Sequence, residues 1–452
     1  MSSYPQNFRK ILGRWDSIAI IISIVIGVGI FRVPSEVARY LGSPNLMLLA
    51  WLVGGMISAL GSLCYAELSA SFPKTGGSYI YLQESYGSWA GFLFGWTELL
   101  AVRTGSIAAV SFIFAEYSQS FLSLDKTLVK PIAVSGILIL SVVNALGLKY
   151  GKRVQNLFTI PKILSLVGII LFGIFLKKGN ISYFNYVPAN SDKGIFLSFG
   201  LALIPILWTY GGWHENTFMA EETRNARKTL PFALLTGISL ITVLYIAINF
   251  IYLYLVPAKE IANANLIAAD TLQILAGKRG RKILEAFIII SSLGCINAMI
   301  ITGSRVTYAM GKDNAIFRYI GEVNSRYGTP IRAIIINAVW SIALIIFGTF
   351  NKLLFFTGIL VWLFFALVVG GLFILRHKHP NIERPYKVWG YPFLPAIFVL
   401  ICIALVLDTT ILYPLQSFFG LCILVSGIPI FMISRKKITL KTQPTQGEGH
   451  EK

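Results

Sequence analysis

Twelve long apolar segments follow one another along the chain, and they constrain its fold more than any other feature of the sequence. Hydrophobic residues make up 55% of the 452 positions and charged residues only 13%, a balance outside the range of soluble globular domains. A segment of this length can cross the hydrocarbon layer as a helix, which satisfies its own backbone hydrogen bonds. The sequence therefore predicts an all-α polytopic membrane protein with 12 transmembrane helices. The segments are residues 17–41, 46–71, 87–120, 127–146, 155–176, 195–220, 231–256, 282–309, 331–349, 351–375, 392–413 and 415–434.

The distribution of Lys and Arg predicts how these helices are oriented. An even number of spans places both termini on one side, and the segments on that side hold roughly twice as many Lys and Arg as the opposite ones. We therefore expect a protein of the cell (inner) membrane with both termini in the cytoplasm, namely the segment 1–16 and a polar, disordered tail at 435–452. The formal charge of +19 then reports topology and does not indicate a nucleic-acid partner.

Glycines interrupt two of the apolar segments. Gly27-Val28-Gly29 lies within the first segment, and Tyr210-Gly211-Gly212-Trp213 lies within the sixth. A glycine costs about 1 kcal/mol in a helix interior, and backbone groups freed inside the hydrocarbon find no water. Taken alone, the first break fits a ligand site or the close packing of small residues equally well. The matching break in the second half favours a transporter with internal inverted repeats, whose site lies where the breaks meet.

Ionisable residues inside the spans are candidates for buried pairs or functional groups, because a charge in the hydrocarbon is costly. Glu98 and Arg103 lie five residues apart in the third segment and are predicted to form an ion pair. Lys162 interrupts the fifth segment and is interpreted as a functional group. The alternative is that its side chain extends to the membrane interface. His214 follows the second break and is either a satisfied polar residue or a ligand group.

Hydroxyl and thiol groups in the spans give weaker signals. Ser291 and Ser292 lie in the eighth segment, where serines usually bond back to their own helix. The four cysteines fall inside apolar segments without paired spacing, so they are interpreted as small buried hydrophobic residues and not as metal ligands or disulfides. They are Cys64, Cys295, Cys402 and Cys422.

Six motifs occur in order between about residues 15 and 395. They are Gly27 to Phe31, Cys64 to Tyr81, Glu98 to Arg103 with Phe114 to Tyr117, Tyr210 to Trp213, Arg305 to Asp313, and Arg384-Pro385 with Lys387-Val388. With these motifs the chain resembles transporters of the amino acid–polyamine–organocation superfamily, in particular the L-type amino acid transporter branch and its bacterial members.

This resemblance implies a leucine-transporter-like 5+5 inverted repeat in which helices 1 and 6 are broken. The first repeat would span 17–176, the second 195–375, and two extra helices would lie at 392–434. The substrate carboxylate is expected on the N–H groups of Gly27, Val28 and Gly29, because a helix N-terminus carries free donors. The substrate ammonium is expected on the carbonyls that end the inner half-helices, and Trp208 is expected to cover the substrate. The predicted substrate-binding residues are Val25, Gly27, Val28, Gly29, Trp208, Tyr210, Gly211, Gly212 and Trp213.

The same resemblance places Lys162 where sodium-coupled relatives hold a cation. Its ammonium is expected to bond the broken first helix and a hydroxyl of the eighth helix, from Ser291 or Ser292. The implied function is transport of L-amino acids by alternating access, as sodium-independent exchange of neutral amino acids. Proton-coupled symport, with Lys162 or His214 titrating, is an alternative, and an amino-acid sensor without transport is another. No enzyme signature, cofactor motif or metal motif occurs.

The sequence departs from the family pattern near the predicted site. Val28 replaces a frequent serine, and His214 stands where animal members commonly have asparagine. Arg32 is unusual beside such a site and is expected either in the outer vestibule, where it would affect specificity, or at the interface. The loop 119–127 contains no cysteine, so no disulfide-linked heavy chain is expected. The expected partners are amino-acid substrates and membrane lipid.

Overall fold

The computed structural model describes residues 8–186, 194–264, 267–347 and 350–442. No β-strand occurs among these residues, and one isolated parallel bridge joins Leu12 to Thr223. The predicted all-α class is confirmed. The α-helices are α1 Arg14–Val25, α2 Gly29–Leu41, α3 Pro44–Ser71, α4 Ser78–Tyr86, α5 Ser88–Thr97, α6 Arg103–Leu122, α7 Val129–Ala145, α8 Leu148–Phe175, α9 Ile195–Thr209, α10 Ala226–Leu255, α11 Ala258–Asn263, α12 Ile267–Ala276, α13 Gly280–Asp313, α14 Ile331–Phe347, α15 Phe350–Lys378, α16 Phe393–Leu412 and α17 Pro414–Thr442.

Short turns of other helix types complete the secondary structure. A π-helical turn, Glu98–Val102, joins α5 to α6, so these helices form one continuous span across the predicted third segment. The longest 3₁₀ stretch, Trp213–Glu222, follows the second break. The remaining 3₁₀ turns are Lys126–Leu128, Ile181–Asn185, Gly277–Arg279 and Ala315–Phe317.

The described chain contains ten helical stretches that are long and apolar enough to cross a membrane, and the bent pair α1 and α2 forms an eleventh. The apolar helix α14 has 17 residues, which is at the short end of the about 17 to 25 residues that span a bilayer. The predicted set of twelve spans includes α14, and its number stays a prediction.

The first half-helix lies in the middle of the bundle. α1 contacts α8, α10 and α13, while α3 packs along α10 and α6 packs along α13. Helices α3 and α10 come from the second and seventh predicted segments, and α6 and α13 come from the third and eighth. The two helices of each pair therefore occupy corresponding positions in the two predicted repeats. The repeat boundaries, 17–176 and 195–375, stay predictions.

The segment that leads into α1 is tied to the end of the 3₁₀ stretch after the second break. The N–H groups of Ile11 and Leu12 both donate to the carbonyl of Glu222 at 3.0 Å, and the N–H of Arg224 donates to the carbonyl of Leu12 at 2.8 Å. Asp16 caps the start of α1, since its carboxylate accepts from the N–H of Gly13 at 2.8 Å. The segment before α1 and the end of the 3₁₀ stretch are therefore joined through backbone hydrogen bonds.

The predicted disordered tail, residues 435–452, overlaps the end of α17, which is described as far as Thr442. Residues 443–452 lie outside the described residues, and the disorder of the tail stays a prediction. Lys and Arg are good helix formers, and cations near a helix C-terminus are favourable, so a helix that leaves the membrane can continue into a basic segment.

The loop between the seventh and eighth segments contains α11 and α12, for which no element was predicted. Helix α12 packs against α2 and α13 and buries Ile267 and Leu272. Its apolar face covers one end of the bundle, and the sequence offered too short an apolar run to reveal it.

Candidate functional site

The first break separates α1 from α2 by three residues and bends the pair by 46°. The N–H of Gly27 turns back to the carbonyl of Val25 at 2.8 Å. Among the described residues, the N–H groups of Val28 and Gly29 donate to no acceptor. Two donors therefore point from the start of α2 into the bundle, and a helix N-terminus with free N–H groups attracts a negatively charged group.

The second break follows the end of α9 at Thr209. The N–H of Gly211 donates to the carbonyl of Trp208 at 3.0 Å, and Gly212 adopts a φ of 101°, which favours glycine. A methyl group at Gly212 would lie 2.3 Å from Cγ2 of Ile24 on α1. The chain can therefore make this turn only with glycine, and the two breaks come into contact there.

The two breaks line a common cavity of about 90 Å³. Trp208 lines this cavity and also a neighbouring one of about 150 Å³, and 44% of the residue is exposed. The predicted site residues that line the smaller cavity are Val25, Gly27, Val28, Gly29, Trp208 and Gly211. Those that line the larger cavity are Trp208, Gly211, Gly212, Trp213 and His214. The structure thus brings nearly all predicted substrate-binding residues to these two cavities.

Tyr210 is the exception. It lines neither of these cavities, and its side chain is fully buried. Its hydroxyl donates to the carbonyl of Trp51 on α3 at 3.1 Å, and its ring packs against Tyr245. The neighbouring glycines turn the backbone and leave the ring facing α3 and α10. The predicted role of Tyr210 in substrate binding stays a prediction.

A hydroxyl that the sequence did not single out joins the two breaks. Oη of Tyr245, on α10, lies 2.8 Å from the carbonyl oxygen of Val25 and 3.3 Å from that of Thr209. A phenol has one proton, so it donates to one of these carbonyls at a time. When it donates to Val25, that carbonyl oxygen accepts two hydrogen bonds, because the N–H of Gly27 also donates to it. The expected role of Val25 as an acceptor for a substrate ammonium stays a prediction.

Lys162 is buried at the first break. Its ammonium donates to the carbonyl of Ser23 at 2.6 Å, to the hydroxyl of Ser23 at 3.2 Å and to Sγ of Cys295 at 3.2 Å. The predicted contact with the broken first helix is therefore present. The predicted hydroxyl partner on the eighth span is wrong, because the thiol of Cys295 takes that place.

The two serines of α13 have other environments. The hydroxyl of Ser291 donates to the carbonyl of Ile26 at 3.2 Å, so it supports the break without contacting Lys162. The hydroxyl of Ser292 is buried and has no hydrogen-bond partner among the described residues. Only one of the two predicted serines therefore contacts the first helix.

The wall of the larger cavity carries three buried charged groups. Arg103 bonds Glu98 at 3.1 Å, as predicted, and also Glu215 at 2.6 Å. Glu215 accepts a further hydrogen bond from the hydroxyl of Thr302 at 2.8 Å. An ionisable residue within a span is itself a functional signal, so Glu215, beside the second break, was recognisable from the sequence as a partner for Arg103.

His214 and Arg32 differ in position. The imidazole of His214 is enclosed by Tyr65, Trp213, Phe218 and Phe365, and its Nδ1 has no partner among the described residues. The side chain of Arg32 is exposed, pairs with Glu36 at 3.9 Å and lines neither cavity at the breaks. His214 therefore belongs to the larger cavity, whereas Arg32 lies outside the site.

Comparison with known proteins agrees with this geometry. A family model described as amino acid permease matches residues 12–430. The chain belongs to this family. The serine/threonine exchanger SteT of Bacillus subtilis (strain 168) is 31% identical over 97% of this chain and 99% of its own length. The b(0,+)-type amino acid transporter 1 of Homo sapiens is 32% identical, covering 94% and 88%, and the human cystine/glutamate transporter is 30% identical, covering 93% and 85%.

These matches confirm the predicted family for this permease, including the L-type branch of the superfamily. Among the described residues, no group of three or more His, Cys, Asp or Glu side chains is placed to hold a metal ion. The breaks of this permease present free N–H groups at Val28 and Gly29, together with backbone carbonyls. Such groups can pair with the carboxylate and the ammonium of a zwitterion.

Proposed function

We propose that this permease exchanges neutral amino acids across the cell membrane by alternating access, without sodium. The observation that carries the proposal is the position of the Lys162 ammonium. It bonds α1 directly beside the break and also bonds Cys295 of α13, so a fixed charge stabilises a junction for which a bound cation would otherwise be needed. The relatives named as exchangers and transporters of amino acids support the same mode.

The substrate is held by backbone groups from both breaks. Its carboxylate accepts from the free N–H groups of Val28 and Gly29, and its ammonium donates to the carbonyls of Trp208 and Gly211. The acceptor of Val25 is already used by Tyr245. The small cavity of about 90 Å³ at this position favours the backbone part of an amino acid, and the side chain extends past Trp208.

Flux measurements with the purified protein in liposomes test this function. Uptake of labelled serine should require unlabelled amino acid inside the vesicles, and it should persist when choline replaces sodium and when a pH gradient is imposed. Accumulation into empty vesicles driven by a proton gradient would instead identify proton-coupled symport. Saturable binding without uptake would identify a sensor. A competition panel of the common amino acids against labelled serine then defines the accepted side chains.

This permease is further proposed to work as a single chain in the membrane, with both termini in the cytoplasm. Three of its four cysteines, Cys64, Cys295 and Cys402, are buried, and the exposed Cys422 lies within α17. None of them lies in the loop after α6, so a disulfide-linked heavy chain has no attachment point there. Full exchange by the purified chain alone tests this expectation, and a requirement for a second subunit would contradict it.

A further inference from the structure

A third cavity, of about 620 Å³, shares no lining residue with the two cavities at the breaks. Three separate parts of the chain form most of its wall: the segment before α1, the start of α8 with the preceding turn, and the loop between α13 and α14. All three lie on the side of the bundle that carries the N-terminal segment. The amino-acid site uses none of these residues.

The wall of this cavity is strongly basic. Its single acidic residue, Glu222, is already held by two hydrogen bonds from Arg305, at 2.8 and 2.7 Å. Like charges gathered around one cavity repel each other, and a polyvalent anion relieves that repulsion. The six basic residues of the wall are Arg9, Lys149, Lys152, Arg153, Arg224 and Arg326.

Some of these cations have partners in the protein, and others are free. Lys152 pairs with Asp16 at 2.7 Å, and Nε of Arg224 donates to a backbone carbonyl at 3.2 Å. Within the part of the chain that the structure describes, the side chains of Arg9, Lys149 and Arg153 form no hydrogen bond or ion pair. The cavity therefore offers two guanidinium groups and one ammonium group that no protein carboxylate neutralises.

We propose that this cavity binds a phosphate-bearing ligand, either an anionic phospholipid headgroup or a soluble phosphate compound. Guanidinium groups match phosphate oxygens with two parallel hydrogen bonds, and lysine supplies a point charge. Basic pockets between transmembrane helices bind anionic headgroups in this way. A volume of about 620 Å³ exceeds what a single phosphate needs, so the phosphate carries an attached group.

Such a ligand contacts three segments of the chain that are separated in the sequence by intervening helices. The segment before α1 contributes Arg9, the first turns of α8 contribute Lys149 and Arg153, and the loop after α13 contributes Arg326. A ligand that binds the folded protein and not the unfolded chain stabilises the folded state by RT ln(1 + L/Kd), where L is the free ligand concentration. Binding is therefore measurable without any transport assay, so its failure is distinct from a failure of the proposed exchange.

The test uses the full chain purified in a neutral detergent. Inorganic pyrophosphate, ATP and dioctanoyl phosphatidylglycerol are titrated in turn, and Kd is read from the shift in unfolding temperature. The cavity variant is Lys149→Gln/Arg153→Gln. The matched control is Lys228→Gln/Lys312→Gln, which removes two exposed cations from the same side of the bundle, outside the cavity.

We expect saturable binding of at least one probe, with a Kd that rises tenfold or more in the cavity variant and stays within twofold in the control. Binding of phosphatidylglycerol alone identifies a lipid headgroup, and binding of ATP or pyrophosphate identifies a soluble phosphate compound. The proposal is overturned if no probe binds, if the cavity variant binds as the wild type does, or if both variants lose affinity equally. Without a ligand, the control should unfold at the wild-type temperature, because its exchanged side chains are exposed and lie outside the cavity. The cavity variant should unfold at the wild-type temperature or above it, because it removes two of the cations that repel each other.

Discussion

At the scale of single residues, the ammonium of Lys162 joins three helices beside the first break. It lies on α8, bonds both the carbonyl and the hydroxyl of Ser23 on α1, and reaches Cys295 on α13. All three donors of the ammonium are used, which is what allows a charged group to lie 2% exposed inside the bundle. This arrangement fixes the inner half of the first helix relative to two of its neighbours.

Lys162→Ala should therefore slow exchange by about tenfold or more, because hydrogen bonds from a charged group are worth about 1.5 to 3 kcal/mol each. The measurement is the rate of serine exchange in liposomes, with gel filtration to show that the variant is folded. Lys126→Ala is the control, since this lysine is exposed and lies in a loop turn. Normal exchange by Lys162→Ala would refute the role of the ammonium.

Tyr245→Phe should reduce the exchange rate several-fold, because it removes the hydroxyl that lies between the carbonyls of both breaks. A neutral hydrogen bond contributes about 1 kcal/mol. Tyr252→Phe is a matched control on the same helix, since its buried hydroxyl has no partner among the described residues. Equal effects of the two substitutions on exchange would contradict a specific role for Tyr245.

The helical repeat explains why the partner of Lys162 was predicted one turn away. Ser291 and Cys295 are four residues apart, so they share a face of α13 that points to the first break. The prediction of Ser291 identified the correct face of α13. Cys295 lies on that face one helical turn further along, which is about 5.4 Å along the axis. Only the axial offset between α8 and α13, which depends on packing, decides which of the two side chains meets the ammonium.

At the scale of elements, each break fits against the opposite helix. A methyl group at Gly29 would lie 2.8 Å from Oγ1 of Thr209, the last residue of α9, and one at Gly212 would meet Ile24 of α1 at 2.3 Å. The glycines are needed for this mutual approach as well as for the interruption of each helix. Of the two interpretations of the first break, close packing is therefore present in the structure, and ligand binding stays a prediction that is compatible with it.

A double-mutant cycle tests this contact. Gly29→Ala should destabilise the protein by about 1 to 3 kcal/mol, as overpacking in a close-packed interior does, and Thr209→Ala in the same protein should restore part of that loss. Thermal unfolding in detergent measures both. Gly168→Ala is the control, because a methyl group there meets nothing within 4 Å. Strict additivity of Gly29→Ala and Thr209→Ala would show that the breaks are independent.

The buried trio of Arg103, Glu98 and Glu215 links α5 and α6 to the 3₁₀ stretch after the second break. Arg103→Gln should cost about 3 to 5 kcal/mol of stability, since it leaves two carboxylates buried without a cation. Adding Glu215→Gln should recover part of this loss. Arg332→Gln, which breaks the exposed pair with Glu322, should cost less than about 1 kcal/mol, and an equal cost for both arginines in thermal unfolding would refute the argument.

At the scale of the whole molecule, the charge distribution predicts the orientation in the membrane, which can be tested directly. In a Cys422→Ser background, Lys126→Cys and Lys387→Cys place single exposed thiols on opposite sides of the bundle. In right-side-out vesicles, an impermeant maleimide should label position 126 directly and position 387 only after permeabilisation. The reverse pattern would show that the termini face outward.

The sequence by itself determined the helical membrane class, the two breaks and the family of this permease. Each of these depends on local composition, since hydropathy reports where a helix is stable in lipid and a glycine pair reports where it is interrupted. The sequence also indicated the pair of Glu98 with Arg103, because both lie on one span. It did not indicate Tyr245 or Cys295, which carry no signal of their own as a tyrosine and a cysteine inside apolar helices.

The tertiary structure decided which of these groups meet. It turned Tyr210 away from the cavities, used the carbonyl of Val25 for Tyr245, and added Glu215 to the ion pair. It also gathered cations from three distant segments around one cavity. Contacts of this kind depend on the rotation and axial offset of helices that are far apart in the chain, and these are determined by side-chain packing between helices, which local hydropathy does not encode.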